Sequence, residues 1–135
     1  MKTRRFPVVP GLAVAALLTS MLGLAACGSP SGGSSAGGDA ARGKELYQTG
    51  GASGVPCNTC HSLDGSPLVG PSLQGISTKA ADRMPGLSAE DYLKQSIDNP
   101  SAYMAEGFSD QMYKGYADSL SREELADLVA YLMTL

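Results

Sequence analysis

The stretch Cys57-Asn58-Thr59-Cys60-His61 decides how this sequence is read. Two cysteines three positions apart, followed at once by a histidine, form the C-x-x-C-H attachment pattern of c-type haem. The spacing has a geometric reason. Two thiols so placed reach the two vinyl groups on one edge of a porphyrin and form thioethers. The next residue then lies under the ring, with its imidazole nitrogen at the iron. A lone C-x-x-C is also half of a zinc site, or a redox dithiol. Zinc needs two more soft ligands, and beyond Cys27 the chain has no other Cys and no other His. A redox dithiol needs a thioredoxin-like βαβ pattern, and none is visible.

Upstream of this motif the chain carries export signals. Lys2, Arg4 and Arg5 form a basic start, and residues 11–26 are an uncharged stretch of 16 residues ending in small side chains. A membrane span needs about 20 residues, so residues 1–26 read as a secretory signal peptide. The sequence Leu24-Ala25-Ala26-Cys27 resembles a bacterial lipobox. That resemblance implies cleavage before Cys27, a diacylglyceryl group on its sulfur, and often an acylated new N-terminus. An ordinary cleavage site beside a stray Cys, or an uncleaved anchor helix, is the plainer alternative. Two or three acyl chains anchor a protein stably. Residues 28–38 contain only Gly, Ser, Pro and Ala, so residues 27–38 read as a flexible tether spanning about 20 Å. Residues 39–135 are then the folded domain. The expected location is the cell membrane, on its extracytoplasmic or periplasmic side, where haem attachment takes place. With Cys27 on lipid and Cys57 and Cys60 on haem, no cysteine is left for a disulfide, despite an oxidising compartment.

Composition narrows the classes further. A chain of 135 residues, 43% hydrophobic and 17% charged, holds one domain and is too apolar for a disordered acidic protein. The net charge of −3 argues against nucleic acid, whose phosphates need a basic face. Without residues 1–26, 7 basic side chains face 13 acidic ones, a net −6. That acidity serves solubility, or docking to partners with basic patches. A domain of 97 residues buries a modest core, so a bound cofactor has apolar surface to supply.

Three helices are predicted around the motif. Asp39 caps a first helix running to about Thr49, with Leu46 and Tyr47 apolar and Gly50-Gly51 as its stop. Gly43 is costly inside it and suits a close crossing. Ser88 and Asp91 begin a second helix, whose face is Tyr92, Leu93 and Ile97 and which ends at Asn99-Pro100. Ser121 and Glu124 form a capping box for the last, where Leu125, Leu128, Val129 and Leu132 follow helical spacing. These stripes read as core. No strand and no internal repeat is apparent.

The iron needs a sixth ligand or an open position, and with one His in the chain bis-His ligation within it is impossible. Met84, Met104, Met112 and Met133 remain. Met133 falls at the end of a periodic helix and reads as core or surface. Met84 follows His61 by 23 residues, a short path around a porphyrin, whereas Met112 follows by 51. Spacing ranks Met112 first, Met104 second and Met84 third.

From residue 43 to 135 the sequence resembles class I c-type cytochromes. It is especially similar to the cytochrome c domain of haem-copper oxidase subunit II and to small membrane-attached relatives. The resemblance rests on Cys57 to His61, Gly70-Pro71-Ser72-Leu73, Ser88-Ala89-Glu90-Asp91-Tyr92-Leu93, Ser96-Ile97-Asp98-Asn99-Pro100, Glu106-Gly107-Phe108 and residues 120–135. It implies an all-α cytochrome c fold, about three to five helices around one covalently bound haem c. It implies terminal helices crossing at Gly43 and Tyr131, a Pro71 carbonyl accepting from His61, and His61 and Met112 as axial iron ligands, with Met84 in a loop despite its Met84-Pro85 pair. The family usually has Pro after the axial Met, where this chain has Tyr113. Tyr103, Tyr113 and Tyr116 are candidates to pack on the haem or to reach a propionate.

The resemblance implies an electron carrier rather than an enzyme: a single-electron shuttle, monomeric, taking electrons from a quinol-oxidising complex and passing them to a terminal oxidase or photosynthetic reaction centre. A haem-based gas or redox sensor with a displaceable Met is the alternative. A peroxidase-like haem enzyme would need an open site and a distal acid–base group that only Glu or Asp is left to supply.

Overall fold

Asp39 opens the first helix by accepting the backbone N–H groups of Ala41 and Arg42 on its carboxylate, two of the donors a helix start leaves without partners. The computed structural model describes residues 37–135; the expected signal peptide, Cys27 and residues 28–36 of the expected tether fall outside the described residues. Helix α1 (Ala40–Thr49) ends at Gly50, whose φ of 78° is the left-handed cap that glycine adopts freely. A loop with single 3₁₀ turns at Gly51–Ser53 and Cys57–Thr59 follows. Helix α2 (Ile76–Lys79) is one turn, prolonged as 3₁₀ through Asp82. Helix α3 (Ala89–Asp98) is capped by Ser88, whose hydroxyl accepts from the Asp91 N–H at 3.1 Å. A 3₁₀ turn at Pro100–Ala102, a long loop and the single-turn α4 (Tyr116–Ser119) lead to α5 (Arg122–Leu132). The Ser121–Glu124 capping box is closed in both directions, at 2.8 and 3.2 Å. The described residues contain helices and no strand, the all-α architecture expected.

The first and last helices form the main packing unit. Gly43 makes it possible: a Cβ there would lie 2.8 Å from the Tyr131 Cβ and overlap the Asp127 backbone carbonyl. The Tyr47 and Tyr131 rings then meet, centroids 5.6 Å apart. Leu128, Val129 and Leu132 of α5 and Tyr92, Leu93 and Ile97 of α3 are buried as their spacing predicts, with Ile76 and Ala80 from the α2 region. Leu46 and Leu125 are only half-buried, flanking this core.

Asp127 was not foreseen. It is 2% exposed, the only buried charged side chain among the described residues. Its carboxylate accepts the Asp39 backbone N–H at 2.5 Å and meets the Arg42 guanidinium at 3.1 Å. Just before, Gly38 presses on the Ala126 carbonyl, leaving no room for a side chain. The chain therefore enters the domain pinned to the middle of α5.

Candidate functional site

Cys57 and Cys60 are set by one turn of 3₁₀ helix, Cys57–Thr59. The Cys57 carbonyl accepts the N–H of both Cys60, at 3.1 Å, and His61, at 2.9 Å. Residues three apart eclipse in such a turn, which stacks the two sulfurs on one side. The thiols are not joined to each other. Burial is the larger influence on the Cys57 thiol and pushes its pKa up.

His61 is held from behind. Its Nδ1 lies 2.8 Å from the Pro71 carbonyl oxygen. A carbonyl only accepts, so Nδ1 carries the proton and Nε2 keeps its lone pair. Burial lowers the His61 pKa, partly opposed by this hydrogen bond, so the ring is neutral and ready to bind a metal. The loop bearing Pro71 is stitched to the motif: the Gly70 N–H donates to the Cys60 carbonyl and the Leu73 N–H to the Ser62 carbonyl, both at 2.9 Å. The imidazole packs directly on Gly70, where a Cβ would sit 2.5 Å from Cε1 and 2.9 Å from Nδ1. Sequence reasoning gave Gly70 no role, although its place before Pro71 marks a tight turn.

These groups line one cleft, partly open to solvent. Leu73, Ile76, Leu93, Ile97, Leu128 and Leu132 form much of its wall. Of the candidate sixth ligands, Met112 and Met104 line it, and Met84 and Met133 do not. Met112 is half-buried, whereas Met104 is 39% exposed. Met84, like Met112 and Met133, is half-buried against the core.

The tyrosines take different places. All three candidates line the cleft. Tyr116 is buried, Tyr113 is exposed, and their rings meet edge-on at 5.0 Å and 88°. The residue after Met112 is thus held by an aromatic contact where a proline's ring would stiffen the chain. Tyr103 stands edge-on to Tyr92 at 5.6 Å. Two further wall residues escaped the sequence reading. Tyr47 donates its hydroxyl to the His61 carbonyl; burial pushes its pKa up to about 12, so it stays a donor. Arg83 is the only basic side chain on the wall, and it makes no ion pair within the described residues.

The donor set fits a haem. Paired thiols, a neutral imidazole and a thioether line one largely apolar cleft, with a guanidinium to meet a carboxylate. No group of three or more His, Cys, Asp or Glu side chains among the described residues is placed to hold a bare metal ion. The family model described as Cytochrome c matches residues 40–135. No curated protein matches the sequence at a significant level.

Proposed function

The chain belongs to the cytochrome c family, whose members bind covalently attached haem c and transfer electrons, and from that premise we propose a membrane-tethered, monohaem single-electron shuttle. When bound, haem c supplies a one-electron iron couple. Cys57 and Cys60 would hold it through thioethers, His61 through Nε2 and Met112 through its sulfur, with Arg83 meeting a carboxylate.

The observation that carries this reading is the convergence of Cys57, Cys60, His61 and Met112 on one cleft. Several wall residues suit electron transfer. Pro71 keeps the imidazole basic and fixed in orientation. The apolar side chains exclude water and disfavour extra positive charge, and a Met ligand raises the potential. Val69 lines the cleft and is 53% exposed, which supports close approach of a redox partner on that side. The proposed partners are a quinol-oxidising complex as donor and a terminal oxidase or photosynthetic reaction centre as acceptor.

Optical spectra of holoprotein test the ligand assignment. Met112→Ala should abolish the weak red charge-transfer band of a methionine–iron bond, while Met84→Ala and Met104→Ala keep it. Loss of the band in Met104→Ala alone would move the sixth ligand to Met104.

A further inference from the structure

Residues 55–61 carry both thiols and the imidazole, and their only regular structure is a single 3₁₀ turn. The carbonyls at the two ends of this segment point out of that turn and find partners elsewhere. Tyr47, on the helix before the segment, donates its hydroxyl to the His61 carbonyl at 2.5 Å. Tyr116, on a helix 55 residues beyond His61, donates to the Val55 carbonyl at 2.8 Å. The phenols are 3% and 5% exposed, and both line the cleft. Each ring is immobilised by another tyrosine, Tyr47 by Tyr131 and Tyr116 by Tyr113, so each hydroxyl is aimed before anything binds.

We propose that Tyr47 and Tyr116 are positioning residues that pin the two ends of the haem-attachment segment, Tyr47 orienting the iron-binding imidazole and Tyr116 the first thioether. The inference rests on the proposed haem site. Phenylalanine would fill the same space, so the work falls to the hydroxyls. The Tyr47 O–H neutralises the partial negative charge on the carbonyl of the ligating residue itself. Without it, that charge favours the oxidised, more positive state. At the other end, Tyr116 fixes the backbone two residues before Cys57, and so the approach of that sulfur.

The test uses the full chain, exported from a host able to attach haem, as wild type and as Tyr47→Phe, Tyr116→Phe and Tyr131→Phe. Optical redox titration gives the midpoint, and the spectrum of the denatured protein gives the number of thioethers. Tyr47→Phe should lower the midpoint by up to ~59 mV, a tenfold change in the oxidised-to-reduced ratio at fixed poise. Tyr116→Phe should raise the fraction attached through one thioether. Tyr131→Phe keeps its ring contact, and its hydroxyl makes no hydrogen bond within the described residues; its midpoint should match wild type. A wild-type midpoint in Tyr47→Phe, with full attachment in Tyr116→Phe, overturns the proposal even if both melt at lower temperature. If Tyr47→Phe does not accumulate, attachment in Tyr116→Phe decides. A wild-type chain without covalent haem overturns the parent reading instead.

Discussion

Gly43 shows how much one missing methyl permits. The α1–α5 crossing brings the Asp127 carbonyl and the Tyr131 Cβ onto its Cα, so any side chain forces the helices apart. Gly43→Ala gains helix propensity but overpacks the crossing, which typically costs about 1–3 kcal/mol. Denaturant unfolding of the holoprotein should show the midpoint falling. Gly43 was readable because a glycine inside a capped helix contradicts local propensity and so asks for a tertiary reason. Asp127 was not: no periodicity rule marks an acid inside an apolar stripe, and its partners, the Asp39 N–H and Arg42, lie 88 and 85 residues away in sequence. Gly70 and Tyr47 escaped on the same grounds, since their tasks are defined by His61 and appear only once the chain has folded back.

At the level of elements, legibility followed length and capping. Helices α1, α3 and α5 have 10, 10 and 11 residues and side-chain caps, and their spans follow the sequence signals closely. Helices α2 and α4 have four residues each and no side-chain cap; one turn is too short to show a period, and they form where the core needs Ile76, Ala80 and Tyr116. The α5 cap also makes stability depend on pH. The Ser121 N–H on its carboxylate, with the Ser121 hydroxyl, holds Glu124 below the ordinary glutamate range. A depressed folded value contributes stability above the unfolded pKa and loses it as pH falls through the folded one. Unfolding midpoints measured from about pH 6 down to about pH 3 should therefore fall less steeply in Glu124→Gln than in wild type.

Across the whole molecule, the core and the cofactor cleft are one structure. Leu93, Ile97, Leu128 and Leu132 belong to both the buried core and the cleft wall, so the bound group completes the interior. Cys57→Ser with Cys60→Ser should leave a chain that keeps helical signal but loses its sharp unfolding transition and binds hydrophobic dye. The attachment motif was legible from five consecutive residues. The cleft around it was not, because its wall is drawn from residues 47 to 132. The proposed lipid anchor is testable at this scale too: Cys27→Ser should move the protein from the membrane to the soluble fraction, and unchanged fractionation would discard the lipobox.

The place where the chain enters the domain carries a mechanical corollary. Asp39 is clasped by Asp127 at the α1–α5 crossing, and the cleft wall on α1 begins only at Tyr47, about 12 Å further along the helix axis. If the proposed lipid anchor at Cys27 holds the chain, tension along the N-terminal lead would load the two terminal helices before it reached the imidazole.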